Sequence, residues 1–282
     1  MKPAARRAAA WYLQKCHGLS ARRACRLSGL PTCSLRYRSH CGPDTGVRER
    51  LVQLAQERPR YGYRRLGILL RREGHVVNPK RVLRLYREEG LKLRPKKRKR
   101  VTSVQRVRPT QTTAANQRWV MDFVSDTLSC GRRFRALSVT DVHTRECLEI
   151  EVDTSLPGAR VVRVLERLRE KRGLPEVIQV DNGPEFAGRH LDQWAYEHGV
   201  HLSFIEPGKP VQNGHIESFN GKFRDECLNG EWFKNPHQAR TIIEDWRNDY
   251  NWFRPHSALN NMPPAVWAQG TEKDEELSLK MR

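Results

Sequence analysis

The run WVMDFVSDTL (residues 119–128) is the first of three apolar, strand-like stretches that decide the fold. RFRALSVTDV (133–142) and ECLEIEV (146–152) follow it, and the connections SCGR and HTR have the composition of turns. After them come a helical segment at 157–173, a short apolar strand at 176–181, a second helical segment at 186–199 and a further strand at 200–205. This order predicts an α/β core in which a mixed sheet of five strands is flanked by helices.

Three carboxylates occupy special places in this pattern. Asp122 lies inside the first strand, where an uncompensated charge is costly, and Asp181 follows EVIQV at the carboxyl end of the fourth. Glu217 lies in the helical stretch NGHIESFNGKFRDECLN (213–229), with 35 residues separating it from Asp181. We expect the three side chains to converge on a divalent metal, because magnesium and manganese ions accept carboxylate oxygens. Two such ions can clamp the attacking and leaving oxygens of a phosphoryl transfer.

Other acids near these three have a simpler interpretation. Asp126, Asp141, Asp153 and Glu185 are close to them in sequence, and a single acid is usually a cap or a surface charge. Asp141 ends the second strand and is the strongest rival for a metal role. We interpret it as a structural residue that forms the turn.

The formal charge of +20 is distributed very unevenly along the chain. Residues 1–118 contain 31 Lys and Arg against 6 Asp and Glu, a net charge of +25. Residues 119–282 contain 21 basic and 26 acidic residues, a net charge of −5. A basic region of this size attracts a polyanion, because neutralised phosphates release condensed counterions. We therefore expect the first part of the chain to bind DNA.

The basic part begins with a helical module at residues 1–42. A helix at 8–17 is followed by a second one, for which Ser20 has the chemistry of an N-cap and Gly29 that of a terminator. A third helical piece lies around residues 31–38. Together they have the outline of a helix-turn-helix.

A second unit, residues 43–91, is predicted to contain three helices. Asn78 as N-cap, Pro79 at the first helical position and Gly90 just past the end bracket its last helix. The residues expected to face its core are Val82, Leu83 and Tyr86. The residues expected to contact DNA phosphates are Lys80, Arg81, Arg84 and Arg87. The alternative is that these basic side chains only solvate the helix surface.

Residues 92–118 have the composition of a linker, extended and partly disordered without DNA. Their basic run KLRPKKRKR includes Lys96, Lys97 and Arg98, which we expect to contact the DNA backbone. A nuclear-localisation signal is the alternative interpretation of this run.

Cysteine usage and the apolar runs indicate the compartment. The chain has no apolar run near 18 residues and no signal peptide, which predicts no membrane partner and a cytoplasmic, nucleoid-associated location. Seven cysteines without a CxxC pair indicate reduced thiols. Four of them, with His17 and His40, lie in the first 41 residues, which raises the alternative of a zinc site. Their spacing of eight or nine residues favours the inner faces of short helices instead.

Three motifs carry a resemblance to a known family. WVMDF (119–123), DNGPEF (181–186) and GHIESFNGKFRDE (214–226) together resemble the catalytic core of the DDE integrase superfamily. RPRYGYRRLGILLRREG (58–74) and YNWFRPHSALNNMPPAVW (250–267) are similar to terminal segments of bacterial insertion-sequence transposases of the OrfB type. The resemblance implies a ribonuclease H-like core. It also implies that Asp122, Asp181 and Glu217 are catalytic ligands of Mg²⁺, with two ions and with Mn²⁺ as a substitute.

The resemblance also implies DNA contacts near the three acids. Arg224, seven residues after Glu217, matches the basic residue of the family and is expected to contact a phosphate. Its alternative is an ion pair with a neighbouring acid, Asp225 or Glu226. Further DNA contacts are expected from Lys222, His215, Asn182 and Arg254. The aromatic residues expected to pack the C-terminal helix against the core are Trp246, Tyr250, Trp252 and Trp267.

These features predict a transposase that cleaves the ends of a mobile element and transfers the strands to other DNA. The expected DNA partners are the terminal inverted repeats and the target, and joining two ends requires at least a dimer on DNA. The resemblance suggests a circular intermediate and an upstream-frame OrfA protein as partner or fusion. Two alternatives stay open: a ribonuclease H-like nuclease that only cleaves, and a non-catalytic helix-turn-helix regulator.

The predicted organisation has six parts. They are a helix-turn-helix-like module at 1–42, a three-helix module at 43–91, a basic linker at 92–118, the catalytic core at 119–230, a C-terminal helical segment at 231–268 and a disordered tail at 269–282.

Overall fold

The structure is a computed structural model that describes residues 3–37, 44–93, 112–205 and 214–271. The chain forms two compact units, Met1–Gln53 and Leu54–Arg282, and the finer division into six parts stays a prediction. Lys96, Lys97 and Arg98, together with most of the linker and the end of the tail, lie outside the described residues. Within the described ranges, no helix has the length and apolar character needed to cross a membrane.

The first unit begins with three helices, α1 (Pro3–His17), α2 (Ala21–Ser28) and α3 (Thr32–Arg36). The Ser20 hydroxyl accepts a hydrogen bond from the backbone N–H of Arg23 at 3.4 Å, and α2 ends at Gly29 with φ +62°. Both ends of α2 therefore lie where the sequence predicts them. The small core between the helices consists of Ala10, Ala24, Cys25, Leu30 and Leu35.

Three more helices follow, α4 (Thr45–Glu57), α5 (Tyr63–Arg72) and α6 (Pro79–Glu88). The Asn78 side chain caps α6 by accepting a hydrogen bond from the backbone N–H of Lys80 at 2.9 Å. The buried residues of α6 are Val82, Leu85 and Tyr86. The predicted core position of Leu83 is wrong, because Leu83 is only half-buried. Leu85 is buried instead, since it is three residues after Val82 and therefore on the same helix face.

Five strands form one mixed sheet in the order β3-β2-β1-β4-β5. Their bounds are β1 (Arg118–Thr127), β2 (Arg133–Asp141), β3 (Cys147–Asp153), β4 (Val177–Val180) and β5 (His201–Phe204). The first three strands form an antiparallel meander, and β4 and β5 run parallel to β1 and to each other. This arrangement confirms the predicted mixed sheet of a ribonuclease H-like core.

Helices cover both faces of the sheet. On one face, α7 (Gly158–Arg172) and α8 (Arg189–His198) pack on strand residues that include Trp119 and Met121. On the other face, α9 (Gly214–Glu226) and α10 (Pro236–Trp252) pack on residues that include Val120 and Val124. Because side chains alternate along a strand, Asp122 of β1 points towards the α9 and α10 face. The apolar stripe of α9 in this core consists of Ile216, Phe219 and Phe223. Burial of each of these side chains stabilises the fold by roughly 1.5–3 kcal/mol.

A β-bulge in the β2–β3 pair is held by a side chain from α10. The pairing register shifts between Val139 and Thr140, opposite Cys147. The buried Asn251 side chain accepts a hydrogen bond from the Cys147 N–H at 2.9 Å and donates one to the Cys147 carbonyl at 2.8 Å. The Arg247 guanidinium donates to the same carbonyl at 3.1 Å. The backbone N–H and carbonyl of Cys147, at the irregular start of this edge strand, are therefore paired by side chains of α10.

We expect Asn251→Leu to lower the free energy of unfolding by about 1–3 kcal/mol, because it leaves the buried Cys147 N–H without an acceptor. Urea unfolding followed by tryptophan fluorescence measures this loss. Asn248→Leu, on an exposed position of the same helix, serves as the control and should change the unfolding midpoint little. Equal midpoints for the two variants would contradict the role of Asn251.

Candidate active site

Asp122 is half-buried on β1, at the position of the strand that pairs with Ser138 of β2. The Asn220 amide donates a hydrogen bond to Asp122 Oδ2 at 2.8 Å, and the backbone N–H of Phe123 donates to Oδ1 at 2.7 Å. The Ser138 hydroxyl is 2.9 Å from Asn220 Oδ1 and 3.1 Å from the Asp122 carbonyl oxygen. The carboxylate is therefore held in one orientation by a network that joins α9 to two strands.

Asp181 directly follows β4, where the chain turns away from the sheet. Its Oδ1 accepts a hydrogen bond from the backbone N–H of Gly183 at 3.0 Å. A Cβ atom on Gly183 would lie 2.9 Å from this same oxygen, so a larger residue would displace the carboxylate. The Asn182 amide donates to the Ile205 carbonyl at 2.9 Å, which ties the turn to the end of β5. The DNG sequence thus shapes the turn that presents Asp181.

Glu217 lies in the first turn of α9 and is exposed. Glu217 and Asp181 are both close enough for their charges to act on the Asp122 carboxyl group. Burial is the largest effect that raises the pKa of Asp122 above its ordinary value of 3.8, and the charges of Asp181 and Glu217 raise it further. The hydrogen bonds from Phe123 and Asn220 act in the opposite direction. The structure therefore brings the three predicted acids into one electrostatic neighbourhood.

The donor set of this neighbourhood fits a hard divalent cation. Three carboxylates supply oxygen ligands, and a cation between them would offset the repulsion that raises the pKa of Asp122. Within the described part of the chain, however, no group of three His, Cys, Asp or Glu side chains already stands close enough to hold a metal. The two oxygens of Asp122 are instead occupied by hydrogen-bond donors.

Two neighbouring acids have other partners. Asp141 is fully buried and accepts backbone hydrogen bonds from His143, Thr144 and Asn116, at 2.7, 2.9 and 2.8 Å. These bonds confirm its interpretation as a turn former. Glu185 forms an ion pair with Arg135, which holds the pKa of the Glu185 carboxyl below its usual range.

Sequence reasoning missed the residues that support the acids. Arg135 lies over the Phe123 ring with its guanidinium carbon 4.1 Å from the ring centroid, and the Phe123 and Phe186 rings stack at 4.9 Å. No feature of the strand pattern in the sequence distinguishes Arg135 from the neighbouring Arg132 and Arg133. Asn220 had a usable signal, because it lies three residues after Glu217 and therefore on the same helix face.

The predicted DNA contacts on α9 differ in their surroundings. Arg224 is exposed, whereas Lys222 and His215 are half-buried. Burial lowers the pKa of His215 to about 3, with help from the charge of Arg145, so its imidazole is neutral at pH 7. Burial and the charge of Arg254 lower the pKa of Lys222 to about 8. Lys222 therefore keeps most of its charge at neutral pH although several arginines surround it.

Arg254 does not have the position of a DNA contact. Its side chain is 2% exposed, and it donates two hydrogen bonds to the Glu226 carboxylate, both at 2.7 Å. A buried guanidinium with a bidentate partner has no free face for a phosphate. Arg254 therefore stabilises the core by pairing with Glu226. The predicted DNA contact of Arg254 is wrong.

The other predicted contacts lie on α6 and in the C-terminal segment. Lys80 and Arg87 are exposed on α6, Arg81 is half-buried, and Arg84 pairs with Glu88 at 3.1 Å. Trp246 and Tyr250 pack on Phe219, with ring centroids 5.8 and 5.1 Å away, as predicted. The Trp267 ring lies 5.2 Å from His143, and Trp252 is 44% exposed.

Comparison with known protein families defines the class of this fold. Models described as integrase core domain match residues 112–210 and 198–264, and a model described as HTH-like domain matches residues 45–99. The simian T-cell lymphotropic virus intasome, solved by cryo-EM in complex with the PP2A regulatory subunit B56 gamma, shares the fold with a TM-score of 0.50 at 14% identity. The match covers 77% of this chain and 74% of that chain. The class is an integrase core preceded by a helix-turn-helix-like segment.

Relatives of known origin define the family more narrowly. The 31.7 kDa protein of insertion element IS407 from Burkholderia multivorans is 49% identical over 89% of this chain and 91% of the relative. The 39.2 kDa protein of IS476 from Xanthomonas euvesicatoria is 47% identical over 89% and 72%, respectively. The putative transposase InsK of IS150 from Escherichia coli is 26% identical over 80% and 83%. The chain belongs to the bacterial insertion-sequence transposases with an integrase core.

We expect Asn220→Leu to raise the pKa of Asp122 further, because the amide that stabilises its charged form is removed. The pH titration of the Asp122 carboxyl carbon, followed by NMR on selectively labelled protein, should move to higher pH. Asn229→Leu, an exposed asparagine beyond α9, is the control. An unchanged titration in Asn220→Leu would show that the hydrogen bond is not formed in solution.

Proposed function

We propose that this transposase cleaves the ends of its insertion element and transfers the freed strands to other DNA at Asp122, Asp181 and Glu217. The observation that carries the proposal is the joint effect of Asp181 and Glu217 on Asp122, because three acids from different elements share one electrostatic neighbourhood. Membership in a transposase family supports a reaction on DNA. A carboxyl group whose pKa is raised by burial and by neighbouring acids is typical of functional sites.

The metal requirement is part of the proposal. Asp122, Asp181 and Glu217 would hold Mg²⁺, as one or two ions, with Mn²⁺ as a substitute. When bound, the metal would supply charge neutralisation at the phosphodiester and a more acidic water. The protein's own residues do the positioning. Asn220 and Ser138 hold the Asp122 carboxylate, and the turn at Gly183 presents Asp181.

The DNA would reach this site through basic side chains on two elements. Exposed Arg224 on α9 is proposed to contact a phosphate beside Glu217, and Lys222 would add charge on the same helix. His215, neutral at pH 7, would act as a hydrogen-bond partner and not as a cation. The exposed basic residues of α6 would hold the DNA end further away.

The wider assembly follows from the reaction. Two element ends must meet for strand transfer, so we propose at least a dimer on DNA that contains the terminal inverted repeats. A circular intermediate made by joining the two ends of one strand fits the same chemistry. The upstream-frame OrfA protein is proposed as a partner or fusion that adds to DNA recognition.

We expect Glu217→Gln to lower cleavage and joining of element-end DNA by more than about 100-fold in the presence of Mg²⁺, because metal assistance supplies several kcal/mol to the transition state. Labelled duplexes taken from the DNA that flanks the gene are the substrate. Binding of these duplexes should change little, since Glu217 is one acid on an exposed surface.

Glu231→Gln, at another exposed position, is the matched control and should retain activity. The two alternatives predict different results in the same assay. A cleavage-only nuclease produces cut ends without joined products. A non-catalytic regulator binds the duplexes, and neither wild type nor variant changes them. Equal joining by wild type and Glu217→Gln would overturn the catalytic assignment.

A second measurement tests the metal without activity. Millimolar Mg²⁺ should raise the Tm of the wild-type protein by a few degrees, at about 2–4 °C per kcal/mol for a chain of this size. Asp122→Asn should respond much less, because one ligand and one repelling charge are removed. Sodium chloride of the same ionic strength controls for screening. Equal responses of both proteins to Mg²⁺ would contradict metal binding at Asp122.

A further inference from the structure

The surface of α5 carries two sets of side chains with different partners. Leu66 and Leu70 are buried, and Gly67 lies against Val82 of α6. On another face, Arg65 and Arg72 are seven residues apart and therefore share one line along the helix. Both arginines reach residues of the integrase-core segment. Helix α5 is thus held on one side by α6 and on the other by the core.

The contact at Arg65 is centred on Glu226, the last residue of α9. Arg65 donates to Glu226 Oε1 at 2.9 Å, and Arg254 donates to both oxygens at 2.7 Å. The Glu226 side chain is 8% exposed and that of Arg254 is 2% exposed. Burial would raise the pKa of the Glu226 carboxyl, but Arg254 and Arg65 hold it below its ordinary value. The charged form of Glu226 is therefore the form that joins the three elements.

Two further contacts, made by Arg72 and Arg58, join this part of the chain to the core. The Arg72 guanidinium donates to the Phe253 and Asn261 carbonyl oxygens at 2.7 and 2.8 Å. Arg58, directly after α4, pairs with Asp249 of α10 at 2.5 Å. These bonds are directional, and each joins one guanidinium to a specific oxygen of the core. Helix α5 is therefore held in one register on the core.

Helix α9 connects this contact to the proposed catalytic acids. Glu217 is near its beginning and Glu226 at its end, which places their Cα atoms about 13.5 Å apart along the axis. The apolar stripe Ile216, Phe219 and Phe223 fixes α9 on the sheet between them. A displacement of α5 relative to Glu226 is therefore also a displacement of α5, and of α6 packed on it, relative to Glu217.

We propose that the Arg65–Glu226 contact is a positioning device that sets which phosphodiester of a bound element end lies at Glu217. The inference rests on the proposed function, since it requires DNA bound by the HTH-like segment to be cut at the three acids. Successive phosphodiesters of one strand are separated by about 3.4 Å of rise, so a small loosening of α5 suffices to change the position of the cut. Arg65 and Glu226 act through this geometry and do not touch the reacting atoms.

The test is the distribution of cleavage positions, which a purely stabilising contact would not change. Arg65→Met is the main variant, because Arg65 is 32% exposed and Glu226 keeps both bonds to Arg254. The full-length chain is incubated with Mg²⁺ and end-labelled duplexes from the DNA on each side of the gene, and the cut sites are sequenced. We expect the share of cuts at neighbouring phosphodiesters to rise by about threefold to fivefold, as expected for the loss of one ion pair.

Matched variants distinguish a loss of the register of α5 from a loss of positive charge and from a folding defect. Arg71→Met removes an exposed charge from the same helix and should leave the cut position unchanged. Arg65→Lys should restore the wild-type distribution, because Arg65 uses a single nitrogen in the contact. Arg72→Met breaks the second attachment of α5 and should broaden the distribution as Arg65→Met does.

The possible results distinguish this inference from the proposed function. If folded Arg65→Met and Arg72→Met cut at the same phosphodiester as wild type, with the same distribution, the positioning inference is overturned and the catalytic proposal stands. If Glu217→Gln cuts as wild type does, or the wild-type chain does not cut, the proposed function fails and the inference fails with it. Broadening in both variants, with a wild-type pattern for Arg71→Met, supports the positioning role.

Discussion

The packing of α9 on one face of the sheet is the contact on which the functional arrangement depends. Its apolar stripe is buried against β1 and β2, so the helix has one position and one rotation relative to the strands. The polar residues beside the stripe then have fixed places. Glu217 lies near the three-acid site, Asn220 reaches the Asp122 carboxylate, and Glu226 meets the arginines at the other end. One hydrophobic contact thereby orients three polar groups with different tasks.

Two carboxyl groups, that of Glu226 on α9 and that of Asp122 beside it, have opposite electrostatic surroundings. Glu226 receives hydrogen bonds from Arg65 and Arg254, and its pKa is lowered despite burial. Asp122 accepts hydrogen bonds from two neutral groups, the Phe123 N–H and the Asn220 amide, and its pKa is raised, first by burial and then by the charges of Asp181 and Glu217. A carboxylate with arginine partners has its charge compensated. A carboxyl group beside other acids is stabilised by binding a proton or a cation. This contrast separates an attachment point from a candidate metal ligand.

The extent of sequence-based prediction follows from the range of the interactions involved. Local signals were reliable: Ser20, Asn78 and Gly29 lie at the helix ends where cap chemistry predicts them. The succession of strand-like and helical segments predicts the mixed sheet, but the spatial order β3-β2-β1-β4-β5 comes from the structure. The DNA contact predicted for Arg254 is wrong, because an arginine within a family motif gives the same sequence signal whether it faces DNA or a buried glutamate. Its partner, Glu226, is 28 residues away, and no periodicity connects the two.

The sequence by itself determined the class of the fold, the three acids and the uneven charge, because these depend on residue type, spacing and local periodicity. Only the tertiary structure decided which polar side chains meet. It turned Asp122 towards α9, placed Asn220 against it and directed Arg65 to the core although neighbouring arginines of α5 are exposed. The physical reason is that such contacts join residues far apart in sequence, and their energy depends on distances and burial that exist only after the helices have packed on the sheet.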